Sequence, residues 1–559
     1  MGNFKYNTLH YLIAILKRYE IFNIVASPGT QNARFNSLVQ EDDDFKCISV
    51  VDERSAAYVA TGIWHEKNNP VVITCTGATA SRNYLSAMTE CYYRRIPVIA
   101  ITFYDTNTNK FGLSPQYIDR SVSQNDVKYL SVELPMINSI HDVNNCIMYL
   151  NAAISEAKYL NKPVHIICPA NQDYTNTIET LPNVWKYDFY DDNFEETKNI
   201  IERKRTAIFI GSHHKFTKDE EDAISDFAES WKIPVFCDHT SNYHGKNKIL
   251  LSQAFAMLRL FRHKPELIID IGNVSGEYNS HIISKNAEVW RISDEGKMQC
   301  RNNKPISKLF YCSEMDFFTR LNNKSESHSD YYTYVNNQVS NLKFPDLPLS
   351  TTLVAQYLSK NIPQNSALHV SILNSLRNMN FFDLDESIDF NCNVGGFGID
   401  GGVSTLVGQS LANKNRKCFG LVGDLAFFYD MNIIGNKHIG NNLRILLVNN
   451  HQGMEFRLNV SLEHFFGDKT AELISAGNHY KGSAKGWVEA CGFEYICAKT
   501  KEEFLSQIKD FCNKDYGKPV FFEVFTKVES ERDAIKNLKL YNKNKIEESF
   551  IKCYKFFKG

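Results

Sequence analysis

The sequence predicts an α/β protein built as three doubly wound parallel-sheet domains, and three observations predict it. At 559 residues the chain exceeds what one hydrophobic core organises, so about three or four domains are expected. Short Val- and Ile-rich runs recur from end to end between stretches of helical spacing, the pattern of parallel strands buried on both faces. Weakly patterned polar stretches at 187–199 (YDFYDDNFEETKN) and 322–337 (NNKSESHSDYYTYVNN) read as junctions. They set domains at 1–186, 187–345 and 346–559.

Taken in order, the first domain opens with apolar residues at helical spacing mixed with Lys and Tyr (MGNFKYNTLHYLIAILKRYE), which fits an amphipathic soluble helix. It continues with the strand runs IFNIVASPG, PVVITCTG, IPVIAITF and PVHIICPA. The second carries RTAIFIG, IPVFCD, PELIIDIG and AEVWRIS. No G-x-G-x-x-G follows a strand there, so nothing marks a nucleotide or flavin site. The third carries SALHVS, RKCFGLVGD, LRILLVNN and PVFFEVF, and ends on a Lys-rich stretch from 538 with helically spaced apolar residues, read as a solvated helix packing one face.

With 43% hydrophobic residues and a formal charge of −2, the chain can bury large cores and has no basic field for nucleic acid or anionic membrane. Small molecules are the expected partners. The Met-Gly start suits a myristoylation signal, but Tyr6 stands where Ser or Thr is needed. The 14 cysteines are scattered, several inside strand runs, and Cys491 and Cys497 lack zinc-like spacing. They are expected to be reduced thiols in a cytoplasmic protein.

Chemistry enters where strands end, because ligands of parallel sheets collect at the carboxyl edge. In CFGLVGDLAFFYDMNIIGNKHIGNNLRILLVNNHQG (418–453), Asp424 ends one apolar run and Asn450 the next. They stand roughly two dozen residues apart, enough for a helix to cross over to an adjacent parallel strand. Carboxylate, amide and backbone carbonyl oxygens are hard ligands suited to Mg²⁺, which commonly bridges a protein to a diphosphate. The helix following Gly423 would add N–H groups for phosphate. Gly-Asp as loop punctuation and Asn-Asn as a turn is the plainer alternative for either pair alone.

A Gly-Asp opening followed at this distance by Asn-Asn resembles the diphosphate and metal motif of thiamine-diphosphate-dependent enzymes. Leu425 stands where Gly is usual, a departure shared with the 2-succinyl-5-enolpyruvyl-6-hydroxy-3-cyclohexene-1-carboxylate synthase branch of menaquinone biosynthesis. SPGTQN (27–32), VDERSAAYVATG (51–62), CTGATASRNY (75–84), SPQYID (114–119) and GGFGIDGGVSTLVG (395–408) are similar to that branch too. The resemblance implies a pyrimidine-binding domain, a central domain and a diphosphate-binding domain. It implies thiamine diphosphate held by Glu53, Thr79, Ile399, Gly423, Asp424, Leu425, Asn450 and Gln452, with Mg²⁺ on Asp424, Asn450 and the Gln452 backbone carbonyl.

Glu53 follows the strand-like CISVVD and opens a helix with small residues on one face. By the resemblance it is the catalytic carboxylate, hydrogen-bonded to the cofactor's aminopyrimidine so that the thiazolium C2 proton can be removed. A buried, apolar setting would raise its pKa and favour sharing a proton. Its structural alternative is a helix N-terminal acid paired with Arg54. Ile399 would be the pedestal that keeps the cofactor bent, with ordinary core packing as its alternative. Family geometry places Glu53 on one subunit and the diphosphate motif on another, which implies a homodimer or dimer of dimers.

The substrate positions depart from that branch, which clamps two polycarboxylates, 2-oxoglutarate and isochorismate, with arginines. Three clamps are replaced here, by Gln31, Asp105 and Val394, while Arg377 and Gln116 are retained; Glu455 replaces an apolar residue beside Phe456. A pocket so altered pays electrostatically to hold two multiply charged acids. The expectation is a 2-oxoacid decarboxylated with transfer of its acyl-anion equivalent to a different acceptor. Plain decarboxylation of the phosphonopyruvate or sulfopyruvate type, the authentic synthase, and a non-catalytic cofactor-binding relative are the alternatives.

Overall fold

The structure is a computed structural model describing residues 4–108, 112–118, 124–170, 180–186, 194–258, 260, 263–277, 280–294, 306–322, 330–395, 397–458, 465–466, 472–478 and 482–542. Among the described residues, eighteen strands form three sheets of six. The first holds β1 (Asn23–Ala26), β2 (Lys46–Ser49), β3 (Val71–Thr76), β4 (Val98–Tyr104), β5 (Leu130–Glu133) and β6 (Val164–Pro169), in the order β2-β1-β3-β4-β6-β5. The second holds β7 (Thr206–Ile210), β8 (Val235–Cys237), β9 (Lys248–Leu250), β10 (Leu267–Ile271), β11 (Glu288–Ile292) and β12 (Lys308–Phe310), in the order β12-β11-β10-β7-β8-β9. The third holds β13 (Ala367–Val370), β14 (Asp389–Asn391), β15 (Cys418–Gly423), β16 (Leu443–Asn449), β17 (Glu494–Ala498) and β18 (Val520–Phe525), in the order β14-β13-β15-β16-β18-β17. The α/β class with parallel sheets is as the sequence predicts. In the first and third sheets every paired strand runs parallel.

By contacts the chain divides into two compact units, residues 1–192 with 289–313, and residues 193–288 with 314–559. In the first unit one core packs the opening helix Thr8–Arg18 and the long helix Ile140–Leu160 against strand residues Ile99, Ile101 and Ile166. The opening helix is not amphipathic in place. Every residue from Thr8 to Leu16 is buried, because helix Ile140–Leu160 covers the side expected to meet solvent, and only its end at Lys17 and Arg18 is not. In the second unit two cores lie on opposite faces of the third sheet, and Ile399 packs partly into both.

Both polar junctions run into helices. Phe194–Arg203 and Tyr331–Ser340 occupy the parts of 187–199 and 322–337 that are described, apart from residues 322 and 330. Of the terminal Lys-rich stretch, 538–541 ends helix Val528–Tyr541, and 543–559 lies outside the described residues. The cysteines among the described residues are free, seven of them buried and Cys47 exposed. No helix among the described residues is long and apolar enough to cross a membrane.

Candidate cofactor site

Apart from Gln116, the residues singled out in the first unit lie just past the carboxyl end of a strand. Gln31 follows β1, Glu53 follows β2, Thr79 follows β3 and Asp105 follows β4. The loop after β1 presses closely on β3: a Cβ at Gly29 would stand 2.3 Å from Thr76 Cγ2, so a larger residue would push Gln31 away. Gln31 accepts from the Gly77 N–H at 3.2 Å and donates to Gln116 Oε1 at 3.2 Å. These two substrate-side amides therefore bond each other, with Gln116 held at φ +63°. Asp105 turns back on its own loop and accepts from the Asn107 N–H at 2.9 Å.

Glu53 begins helix Glu53–Lys67, capped by Asp52, whose carboxylate accepts from the Arg54 N–H. Arg54 also reaches Asp52 at 3.7 Å. Glu53 accepts from Asn83 Nδ2 at 2.9 Å, across from the short helix Thr79–Asn83 that presents the exposed Thr79. The carboxylate is partly exposed, so the buried, apolar setting expected for it does not exist within a single chain. Asn83 was not legible in the sequence, because nothing in the spacing of two short helices reports a bond between their side chains.

The second unit repeats the edge logic. Arg377 follows β13, Val394 and Ile399 follow β14, Gly423 ends β15, and Asn450, Gln452, Glu455 and Phe456 follow β16. β15 and β16 are adjacent and parallel, joined through helix Asp424–Asp430 and the 3₁₀ turn Met431–Gly435. Asp424 is 4% exposed. Burial pushes its carboxyl up to about 6, against bonds from backbone N–H groups that pull it down. Its Oδ1 accepts from the Leu425 N–H at 2.8 Å, and its Oδ2 from the Gln452 N–H at 3.1 Å.

The same Gln452 N–H lies 3.3 Å from Asn450 Oδ1, so the carboxylate and the amide oxygen converge on one point. That convergence requires the left-handed turn at His451, φ +60°, a conformation costing roughly 1–3 kcal/mol in a non-glycine residue. The turn is pinned from outside. The Asn478 N–H donates to the His451 carbonyl at 2.7 Å, and the Gly453 N–H to the Ser475 carbonyl at 2.6 Å. From below, Asn449 donates to Glu523 Oε1 at 2.7 Å. Glu523, fully buried, also accepts from the Ala484 N–H at 3.2 Å, from Tyr495 at 2.7 Å and from Ser483.

A buried carboxylate with no Lys or Arg ion pair among the described residues, beside an amide oxygen, is a donor set that fits Mg²⁺. No cluster of three or more His, Cys, Asp or Glu side chains offers a competing metal site among the described residues. Gly423 leaves open space where a Cβ would stand, as a backbone that must approach a diphosphate requires.

The substrate side of this unit differs from a simple cation clamp. Arg377, on helix Asn374–Met379, is ion-paired with Glu455 and close enough to Glu277 to feel its charge. Burial lowers the guanidinium to about 10, against the charge of Glu277, and raises Glu455 to about 7. Leu373, just before this helix, is held at φ +71°. Val394 is buried in the core with Leu376, and Phe456 is exposed.

A family model described as thiamine pyrophosphate enzyme, N-terminal TPP binding domain, matches residues 6–124. The chain is 28% identical to the 2-succinyl-5-enolpyruvyl-6-hydroxy-3-cyclohexene-1-carboxylate synthase of Bacteroides fragilis, over 94% of this chain and 97% of that protein. It is also 28% identical to the enzymes of that name from Phocaeicola vulgatus (96% and 98% covered) and Flavobacterium johnsoniae (95% and 98% covered). The chain thus carries a thiamine pyrophosphate enzyme N-terminal domain match at residues 6–124 and resembles these synthases along nearly its whole length.

Proposed function

We propose that this chain is a thiamine-diphosphate- and Mg²⁺-dependent enzyme that decarboxylates a 2-oxoacid and transfers its acyl unit to an acceptor. We further propose that its substrates differ from those of the synthases it is similar to. When bound, thiamine diphosphate supplies the electron sink that decarboxylation needs. Asp424, Asn450 and the Gln452 carbonyl would hold the metal, and Glu53, bonded by Asn83, would hold a proton at the cofactor's ring nitrogen. The assembly is a homodimer or dimer of dimers.

The observation that carries the substrate reading is the Arg377–Glu455 ion pair. The retained cation already has a counter-charge, Gln31 is bonded to Gln116, and Val394 lies in the core. A donor or acceptor with several carboxylates would have to break that pair and would find no second clamp among these positions. A 2-oxoacid with little further charge, and an acceptor bearing hydroxyl or amino groups that tolerate Asp105 and Glu455, suit such a site. Incubating the protein with thiamine diphosphate, Mg²⁺ and a panel of 2-oxoacids, with and without acceptors, tests this. CO₂ release from a monocarboxylic 2-oxoacid supports it, and turnover confined to 2-oxoglutarate with isochorismate sinks it. Similarity over nearly the full length of proteins named 2-succinyl-5-enolpyruvyl-6-hydroxy-3-cyclohexene-1-carboxylate synthase favours a second reading, that this chain makes the same product; the same panel decides between them.

A further inference from the structure

Asp430 is a buried acid that neither the metal site nor the substrate positions use. It is 6% exposed and ends helix Asp424–Asp430, whose first residue is the proposed metal ligand. An acid immediately before the 3₁₀ turn Met431–Gly435 would ordinarily cap that turn, yet its side chain makes no such bond. It reaches instead to helix Gly402–Ala412, where Oδ2 accepts from the Ser404 N–H at 2.6 Å and Oδ1 from Ser404 Oγ at 2.6 Å.

The receiving helix lacks a cap of its own. Its N-cap is Gly401, which has no side chain to accept a bond, and its first turn carries no acid. Ser404 is the third residue of the helix, where the N–H is ordinarily taken by the capping side chain. Here the acceptor comes from 26 positions downstream. The same helix is the base of the Ile399 loop. Ile399 stands three residues before Gly402, and the start of the loop is fastened to the first helical turn, with Asn393 Nδ2 donating to Thr405 Oγ1 at 3.0 Å.

A helix of seven residues is a stiff strut, and at ~1.5 Å per residue it sets Asp424 and Asp430 roughly 9 Å apart along its axis. One end stands at the metal turn and the other grips the helix behind the pedestal loop. Two charge-assisted bonds to one residue fix orientation as well as distance. We propose that Asp430 is a positioning residue that holds the Ile399 pedestal in register with the Asp424–Asn450 metal site, acting only through Ser404. This rests on the cofactor reading above and adds to it a residue outside the cofactor's own contacts.

The test uses the full-length protein as wild type, Asp430→Ala, Ile399→Ala and the double variant. Three quantities are measured: Mn²⁺ affinity without cofactor, thiamine diphosphate affinity with Mn²⁺, and exchange of the bound cofactor's C2 proton. Asp430→Ala should keep Mn²⁺ affinity within about threefold, since the metal turn lies at the far end of the strut. It should weaken thiamine diphosphate and slow C2 exchange, the latter about tenfold or more, and Asp430→Asn, which keeps an acceptor for the Ser404 N–H, should recover most of both. Once Ile399→Ala has removed the pedestal, adding Asp430→Ala should slow exchange by less than about threefold, because both changes act on one element. A full loss in both backgrounds, undiminished exchange in folded Asp430→Ala, or a loss of Mn²⁺ affinity as large as the loss of exchange would each overturn the proposal. Should Asp430→Ala not fold, Ser404→Ala deletes only the hydroxyl half of the contact and carries the same cycle. A wild-type protein that binds no thiamine diphosphate would bring down the cofactor reading and this proposal together; where wild type binds it, the variants bear on Asp430 alone.

Discussion

Replacing Asp424 by Asn tests the metal site through a magnitude set by burial. The carboxyl is 4% exposed and raised from 3.8 to about 6. At ~1.4 kcal/mol per unit, carrying its charge without a cation costs the folded protein about 3 kcal/mol at pH 7. Because the folded pKa lies above the unfolded one, the folded state binds this proton more tightly. The penalty is therefore absent below about pH 4 and complete above about pH 6, so this group makes stability fall as pH rises across that window. A divalent ion must displace the same proton. Binding should release about 0.9 proton per ion at pH 5, about half at pH 6 and almost none at pH 7.5. Calorimetric titration with Mn²⁺, without diphosphate and in buffers of differing ionisation enthalpy, reads this directly. Asp424→Asn should bind no Mn²⁺ and lose this group's part, about 3 kcal/mol, of the stability change between pH 4 and pH 7. Proton release that does not vary between pH 5 and pH 7.5, or unchanged Mn²⁺ affinity in the variant, would refute the assignment.

Glu53→Gln should bind thiamine diphosphate with near wild-type affinity while slowing exchange of the cofactor's C2 proton by orders of magnitude, read by deuterium incorporation; normal exchange would remove Glu53 from its role. Glu455→Gln should leave Arg377 without its counter-charge and improve kcat/KM for a dicarboxylic 2-oxoacid about tenfold or more relative to a monocarboxylic one. An unchanged ratio would mean that the ion pair does not set donor choice. Glu523→Ala strands four donors and should cost at least about 3 kcal/mol in unfolding. Glu523→Gln should fold yet bind Mn²⁺ more weakly through a loosened Asn449, and full Mn²⁺ affinity there would show that Glu523 does not position the metal turn.

What the sequence reveals of the fold follows burial. The twelve apolar runs are the four inner strands of each sheet, whose two covered faces produce unbroken Val and Ile runs. The strands without such runs are the edges. β5, β9, β12, β14 and β17 are short or half-exposed, and β2, fully exposed in the chain, shows only as the strand-like CISVVD. A strand with one neighbour and one wet face needs no apolar run to be stable. The opening helix misleads for the converse reason: Tyr11 mimics a wet face, although a second helix covers it.

The site divides in the same way. Asp424 and Asn450 are legible because strand ends and crossover length are local properties, and helix-before-strand geometry then brings them to one edge. The Arg377–Glu455 pair and the Asn83–Glu53 bond each join two separate helices, so neither could be inferred from spacing. A lost clamp is visible in a sequence as a changed residue. Whether the surviving clamp is already neutralised is a fact of three-dimensional packing.

The central claim, a thiamine-diphosphate enzyme with an altered substrate pocket, is tested most directly by steady-state turnover of 2-oxoglutarate with isochorismate against a monocarboxylic 2-oxoacid, each with saturating thiamine diphosphate and Mg²⁺. The account predicts cofactor-dependent CO₂ release from the monocarboxylic acid, with kcat/KM at least about a hundredfold above that for the dicarboxylic pair, as expected where a buried charge pair must be broken at about 3 kcal/mol. Efficient condensation of 2-oxoglutarate with isochorismate would contradict it.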